Sequence, residues 1–287
     1  MIKEAYRIIR PEIRASAVVF ASPHSGCDYP EWFLRRSLLN AHSIRSSEDA
    51  FVDLLFNSVP EFGSPFLAAS APRAFLDLNR ASDELDPALI QGVRKAGHSP
   101  RIASGLGVIP RVVANGRSIY SGKMALEEAN RRIDVYWRPY HAALQELLTQ
   151  ARDEFGCAIL IDCHSMPREA VENVTRVAGR RPEIVLGDRF GAAAHSEIVE
   201  QVETAFVESD FSVSRNTPFA GAYVTQHYGR PSRRQHAIQV EIDRSLYMDE
   251  DKIQPHSGFE EFRTRLRDVT AKISKIGRSG KQALAAE

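Results

Sequence analysis

Apolar and polar positions along the chain predict alternating strands and helices. Short apolar runs bounded by turn-forming residues predict strands at 16–21, 74–78, 158–161 and 184–187. Apolar residues at helical spacing predict helices within 50–56, 124–155, 191–209 and 258–275. The run at 158–161 is apolar throughout, which is typical of a strand buried on both faces in a mostly parallel sheet. The pattern therefore indicates an α/β protein.

The segment 237–244 has alternating strand character and carries polar side chains on one face. Gln239, Glu241 and Asp243 are spaced two residues apart, so they share that face. We interpret this segment as a half-buried strand. Acidic side chains on such a strand are costly unless they are solvated, paired or used in chemistry. Glu241 and Asp243 are therefore candidate functional residues.

Three segments depart from simple periodicity. Residues 97–122 contain five glycines and two prolines, which predicts a long loop able to cover a site. Residues 214–234 mix turn formers, aromatic residues and hydrogen-bonding side chains, a composition that suits a binding loop. Pro139 lies inside the helical stripe of 124–155 and predicts a kink near 135–139, or two helices that meet there.

Two of the predicted strands end in a histidine followed by a serine. The sequence Ser-Pro-His-Ser-Gly at 22–26 follows one strand, and Asp-Cys-His-Ser at 162–165 follows another. Ligands of open α/β sheets bind outside the carboxyl ends of the strands. A single histidine after a buried strand is often structural, but the repeated context makes both His24 and His164 candidates for chemistry.

Two histidines and a carboxylate around an open position are the usual protein ligands of a catalytic zinc ion. The spacing of His24 and His164 does not by itself form a metal-binding motif. The candidate carboxylates are Glu48, Asp49, Asp162 and Glu241. Asp49 has a structural alternative, because Ser46 with an acid three residues later resembles a helix capping box.

Asn79 and Arg80 form a candidate anion site at the end of the predicted strand 74–78. A guanidinium group can pair bidentately with a carboxylate, and the Asn79 amide can add a neutral hydrogen bond. The alternative interpretation is a surface arginine paired with Asp83 or Glu84.

Composition narrows the class of protein. The 287 residues are 43% hydrophobic, and no segment resembles a linker, so we predict a single domain over 1–287. The 37 basic residues balance the 37 acidic ones, which argues against nucleic acid as a partner and favours a small molecule.

No run is long and apolar enough for a membrane helix, and charges near Met1 are unlike a signal peptide. Three cysteines without a CxxC pair fit a reducing compartment, so we expect a cytoplasmic protein. The oligomeric state stays open.

A set of short blocks, taken in order, resembles the N-formylglutamate amidohydrolase family. No single block is very specific, but the ordered set spans residues 22–248, most of the chain. The blocks lie at 22–26, 47–53, 77–80, 162–167, 221–229 and 240–248. That family is similar to zinc carboxypeptidases and aspartoacylases, so the resemblance implies a mixed, largely parallel central sheet sandwiched by helices.

The resemblance also implies roles for individual residues. It makes His24, Asp49 and His164 the ligands of one zinc ion and Glu241 the general base that activates the metal-bound water. The implied substrate-binding residues are Asn79, Arg80 and His227. The carboxypeptidase relatives carry an acid three residues after their first histidine, where this chain has Cys27, so Asp49 is inferred as the acidic ligand and Glu48 is held in reserve.

The implied reaction is hydrolysis of N-formyl-L-glutamate, or of a closely related N-acyl amino acid, to formate and glutamate. Its substrate has two carboxylates, so a second cation besides Arg80 is needed, and the candidates are Arg215, Arg230 and Arg244. One alternative is a sibling hydrolase of N-acyl or N-carbamoyl amino acids. Another is a metal-free anion-binding protein. A hydrolase using Ser25, Cys27 or Cys163 as nucleophile is less favoured, because none lies in a Gly-x-Ser-x-Gly elbow.

Overall fold

The structure, a computed structural model, describes residues 4–93 and 100–277. Its strands are β1 (Tyr6–Ile9), β2 (Val18–Ser22), β3 (Phe66–Ala69), β4 (Ala158–Met166), β5 (Ile184–Gly187), β6 (Val213–Arg215), β7 (Gln235–Asp243), β8 (Met248–Asp249) and β9 (Gln254–Pro255). Its α-helices are α1 (Glu31–Arg36), α2 (Val52–Leu55), α3 (Pro100–Ala103), α4 (Leu126–Arg132), α5 (Arg138–Phe155), α6 (Ser196–Val207), α7 (Tyr223–Tyr228) and α8 (Phe259–Ile273). Short 3₁₀ turns lie at Ser43–Ser47, Val59–Phe62, Ala114–Gly116, Arg168–Val171, Pro231–Arg233 and Arg244–Leu246.

Seven strands form one sheet in the order β1-β3-β2-β4-β7-β5-β6, and β8 and β9 form a separate two-stranded sheet. Strand β4 runs parallel to both β2 and β7, and β5 runs parallel to β6. Strand β5 is antiparallel to β7, so the sheet is mixed and largely parallel, as predicted. Within the described ranges, no helix has the length and hydropathy needed to span a membrane.

The described residues form two compact units. Unit 1 comprises those within 1–7, 23–50 and 68–143, and unit 2 comprises those within 8–22, 51–67 and 144–277. Each unit is described separately below. The single domain over 1–287 stays a prediction.

The core of unit 1 is built around Arg132. Its guanidinium carbon lies 4.1 Å from the centre of the Phe75 ring, and Nη1 donates to Phe75 O and to the Tyr120 hydroxyl. The predicted strand at 74–78 is wrong, because this segment is a series of turns that begins with Phe75 N–H donating to Pro72 O. Its apolar residues are buried without strand pairing, and Phe75 packs against Arg132 and the Phe33 ring.

The helical stripe at 124–155 is interrupted where proline predicts it. A π-helical segment at Ile133–Trp137 separates α4 from α5, and Pro139 is the second residue of α5. The wider π turn accommodates the ring and the missing N–H of the proline. The predicted break at 135–139 is therefore confirmed.

Unit 2 contains the most deeply buried strands. All nine residues of β4 and all nine of β7 are buried. The half-buried interpretation of 237–244 is therefore wrong: α7 covers one face of β7, where Gln235 Nε2 donates to Tyr228 O. On the opposite face of the sheet, the ring of Phe56, the residue that follows α2, packs against Phe20 of β2.

The remaining predicted elements agree with the structure except at their ends. Strand β5 has the predicted bounds, and α6 and α8 occupy the predicted helical segments in shortened form. Within 100–122 the loop contains only α3 and a 3₁₀ turn, while 97–99 lie outside the described residues. The predicted binding loop at 214–234 contains α7. The capping box is wrong, because Ser46 lies inside a 3₁₀ turn and the residue preceding α2 is Phe51, which makes no side-chain cap.

Gly26 allows two loops of unit 1 to approach closely. A Cβ atom at this position would lie 2.7 Å from the carbonyl carbons of both Ser70 and Ala71. We expect Gly26→Ala to lower the free energy of unfolding by about 1–3 kcal/mol, because the clash is with backbone that must move. Gly122→Ala is the matched control, since its new methyl group would meet nothing within 4 Å. Equal urea midpoints for the two variants would contradict this account.

Candidate active site

His24 follows the end of β2 and is held between two carboxylates of unit 1. Its Nε2 lies 2.7 Å from Asp77 Oδ1, and its Nδ1 lies 3.4 Å from Asp49 Oδ2. All three side chains are buried. A carboxylate on one ring nitrogen fixes the tautomer and orientation of a metal-binding histidine. The pair of His24 and Asp77 therefore has the form expected of a ligand and its supporting partner.

Asp49 and Glu48 are adjacent in sequence but have different surroundings. Asp49 N–H donates to His24 O at 3.1 Å, which holds the aspartate beside the histidine. Both carboxylate oxygens of Glu48 accept from Arg45, at 3.0–3.1 Å. The Glu48 carboxylate is thus turned toward a cation of its own, whereas the Asp49 carboxylate faces His24.

Asp77 organises the cations of unit 1. Its Oδ2 accepts from Arg73 Nε at 3.1 Å, and its Oδ1 accepts from Asn79 N–H at 2.8 Å. Burial opposes ionisation of Asp77, but the neighbouring His24, Arg73 and Arg80 outweigh it and hold the pKa of this carboxyl well below its usual range.

Arg80 is buried rather than exposed. Its Nε donates to Leu106 O at 2.9 Å and its Nη1 to Asn79 O at 2.8 Å, so the guanidinium group has a fixed orientation. Burial lowers the pKa of Arg80. The alternative of a surface arginine paired with Asp83 or Glu84 is therefore wrong, although Glu84 lies close enough to add an electrostatic contribution.

The chemistry of unit 2 lies toward the carboxyl ends of β4 and β7. His164 on β4 is in register with Glu241 on β7, and Asp162 is in register with Gln239. In a parallel pair, residues in register have their side chains on the same face of the sheet. His164 Nε2 lies 3.0 Å from Asp162 Oδ2, and Gln239 Nε2 donates to Glu241 Oε1 at 2.7 Å.

His24 and Asp49 of unit 1 and His164 of unit 2 are three buried side chains that could hold a metal ion. Two imidazole nitrogens and one carboxylate oxygen match the donor set of a zinc site with an open position. The carboxylate beside the His24 ring also matches, since Asp77 Oδ1 lies 2.7 Å from its Nε2. The residues present therefore fit a divalent metal.

The other candidates have different surroundings. His227 on α7 stacks on Tyr223, with ring centres 5.0 Å apart. The residue as a whole is exposed, but partial burial of its ring lowers its pKa, and the charge of Arg230 lowers that pKa further. Asp243 caps the 3₁₀ turn at Arg244–Leu246 by accepting from Ser245 N–H, which gives this acid a structural use.

The three proposed second cations also differ. Arg215 is ion-paired with Glu203. Arg230 is exposed near the amino end of β7 and donates to the backbone carbonyls of Gln226 and Gly229. Arg244 is buried just after β7, and its Nε donates to Ser165 Oγ at 3.1 Å. Of these three arginines, only Arg244 is buried and also bonded to Ser165, the residue that follows His164.

Sequence reasoning missed the roles of Arg73, Asp77 and Gln239. Asp77 stands two residues before Asn79 in a recognised block, but nothing local links it to His24, 53 residues earlier.

Cys163 is buried as expected, and burial raises its pKa well above the usual value, whereas Cys27 is exposed. Cys163 therefore does not supply a reactive thiolate.

A buried histidine in contact with carboxylates, such as His24, and a buried arginine of fixed orientation, such as Arg80, are features of a hydrolase active site. The family model for N-formylglutamate amidohydrolase matches residues 16–248. The chain belongs to the N-formylglutamate amidohydrolase family, which confirms the resemblance seen in the sequence.

Individual relatives agree with this family. The chain is similar to an N-formylglutamate deformylase of Pseudomonas aeruginosa, at 33% identity over 205 residues, covering 70% of this chain and 71% of the relative. An N-formylglutamate deformylase of Pseudomonas putida is 28% identical over 236 residues, 81% of this chain and 82% of the relative. The crystal structure of an N-formylglutamate amidohydrolase from Ralstonia eutropha JMP134 has a TM-score of 0.86 at 35% identity, covering 97% of this chain and 99% of that one.

Replacing Asp49 and Glu48 separately tests which acid binds metal. We expect Asp49→Asn to reduce metal affinity by more than the roughly 10- to 100-fold typical of losing an outer partner, because a ligand itself is lost. The metal-free protein should keep its stability, since Asp49 caps no helix and a lost cap would cost about 1 kcal/mol. Metal analysis and thermal unfolding of the stripped protein measure both effects.

Glu48→Gln is the matched control. It weakens the pairing with Arg45 and should leave metal affinity unchanged. Loss of metal in Glu48→Gln with retention in Asp49→Asn would reverse the assignment.

Proposed function

We propose that this protein is a zinc-dependent amidohydrolase that cleaves N-formyl-L-glutamate to formate and glutamate. The observation that carries the proposal is the set of His24, Asp49 and His164, three buried side chains whose two imidazoles and one carboxylate could hold a metal ion. The names of the relatives support the substrate, since both Pseudomonas proteins are N-formylglutamate deformylases.

His24, Asp49 and His164 would hold the zinc ion, with Asp77 orienting the His24 imidazole. When bound, zinc lowers the pKa of a coordinated water to about 7 and polarises a carbonyl group. The carboxylates beside the histidines raise the basicity of the rings as ligands.

Glu241 acts as the general base and then as the general acid. It takes a proton from the attacking water as the new C–O bond forms at the formyl carbon. It then delivers that proton to the amide nitrogen as the C–N bond breaks, because an amide nitrogen leaves poorly unless it is protonated. Its register position beside His164 supports this role.

Arginines bind the charges of the substrate. Arg80 takes the α-carboxylate, since its guanidinium orientation is fixed by two backbone carbonyls and Asn79 adjoins it. Arg73, ion-paired with Asp77, is the cation assigned to the developing oxyanion. Arg244 binds the side-chain carboxylate of the substrate, because Arg215 is already ion-paired and Arg230 is exposed near the amino end of β7. His227 stays a predicted substrate contact.

Formate release from N-formyl-L-glutamate, measured with and without metal, tests the proposal. We expect near-stoichiometric zinc in the purified protein, loss of turnover on chelation and recovery on adding zinc. His24→Ala and His164→Ala should lose zinc and activity together. Glu241→Gln should keep zinc and lose about 10²- to 10⁴-fold in kcat.

Two outcomes contradict the proposed function. Full turnover by metal-stripped protein would exclude zinc dependence. Tight binding of N-formyl-L-glutamate without hydrolysis, even after zinc is supplied, would favour the metal-free anion-binding protein.

Comparing N-formylglutamate with N-formylglutamine separates the two arginine roles, because these substrates differ only in the charge of the side chain. Arg80→Lys keeps the charge but loses the planar guanidinium group, so kcat/KM should fall on both substrates. The fall should correspond to a loss of about 1.5–3 kcal/mol of transition-state stabilisation, the value of a hydrogen bond to a charged group. Arg244→Lys should reduce kcat/KM for N-formylglutamate alone. The control, Arg215→Lys, should leave the ratio of the two substrates unchanged.

Equal rates of the wild-type protein on N-formylglutamate and N-formylglutamine would contradict the glutamate assignment. That result would favour a sibling hydrolase of N-acyl or N-carbamoyl amino acids with a single carboxylate clamp. Zinc content should be the same in all three arginine variants, since none supplies a metal ligand.

A further inference from the structure

Gln239 and Glu241 form a buried side-chain pair on β7. The two residues are 4% and 9% exposed, and Gln239 Nε2 donates to Glu241 Oε1 at 2.7 Å. They are two residues apart on a strand, so both side chains lie on the face that carries Asp162 and His164 on β4. The pair therefore belongs to the chemical face of unit 2.

A glutamate side chain has three rotatable bonds, so a base on a strand needs a partner that fixes its carboxylate. A hydrogen bond from a neutral amide does this without bringing another titrating group to the site. An ionised carboxylate only accepts hydrogen bonds, so the bond requires the amide of Gln239 to present its NH₂ group. Charge-assisted hydrogen bonds of this kind are short and strong.

The orientation of Gln239 leaves its other polar atom unsatisfied. Gln239 Oε1 is buried and has no hydrogen-bond partner within residues 4–93 and 100–277. An unsatisfied buried carbonyl is destabilising, and an apolar side chain of similar volume would avoid that cost. The amide at this position is therefore explained by what its NH₂ group does for Glu241.

We infer that Gln239 is a positioning residue that holds the Glu241 carboxylate in its reactive orientation. The inference rests on the proposed role of Glu241 as the base. Gln239 acts through Glu241, by the hydrogen bond from its Nε2 to Glu241 Oε1.

Gln235 provides a matched control on the same strand. It lies on the same face, is 5% exposed, and its Nε2 donates to Tyr228 O at 2.7 Å. Gln235→Met and Gln239→Met therefore each remove one buried amide hydrogen bond from β7. They differ in the acceptor, which is a backbone carbonyl in one case and the base in the other.

Steady-state kinetics on the zinc-loaded protein tests the inference. We expect Gln239→Met to lower kcat by about 10- to 100-fold with KM and zinc content unchanged, while Gln235→Met keeps its kcat. Gln239→Leu removes the same donor and provides a second variant. In the Glu241→Gln background, Gln239→Met should cause no further loss, because residues that act as a unit are not additive.

Each alternative result has a distinct meaning. Equal kcat values for Gln239→Met and Gln235→Met, or a full additional loss in the Glu241→Gln background, would overturn the inference while leaving the base assignment intact. Near-normal turnover of Glu241→Gln would overturn the base assignment itself and the inference with it.

Discussion

The parallel pairing of β4 with β7 is the constraint on which the chemical face depends. This register sets His164 beside Glu241 and Asp162 beside Gln239. Side chains alternate between faces, so a slip of one residue would turn one member of each pair to the opposite face. The burial of both strands on both faces specifies the register strongly, because a slip of one residue would move polar side chains into apolar surroundings. The same register therefore determines both how the core packs and where His164 and Glu241 lie.

Unit 1 contributes a second network, in which one carboxylate is shared by several partners. Asp77 contacts His24, Arg73 and the backbone of Asn79, so the orientation of an imidazole and of a guanidinium group depend on the same buried acid. Such a network is stable only when its members are satisfied together, because an isolated buried charge is costly. The network also links residues that are far apart in sequence, since His24 and Asp77 are 53 residues apart.

The sequence was most informative where burial and periodicity coincide. Strand β5 and the broken helix at Pro139 follow from local patterns. Residues 74–78 show the limit, since their apolar side chains are buried without joining the sheet, and Phe75 packs against Arg132 instead. Hydrophobicity reports burial, not the partner that provides it. The grouping of His24, Asp49 and His164 followed from family resemblance, whereas the support from Asp77 and Gln239 depends on contacts that no local pattern encodes.

Cys163 stands between Asp162 and His164 on β4, and its burial has a consequence for redox chemistry. Its thiol is fully buried and its pKa is raised well above the usual value, so almost none is present as thiolate at neutral pH. Peroxide and alkylating reagents attack the thiolate, and they need access to it. Oxidants should therefore modify exposed Cys27 first and spare the strand that carries His164. A sulfur atom one residue from His164 is in this way compatible with aerobic conditions.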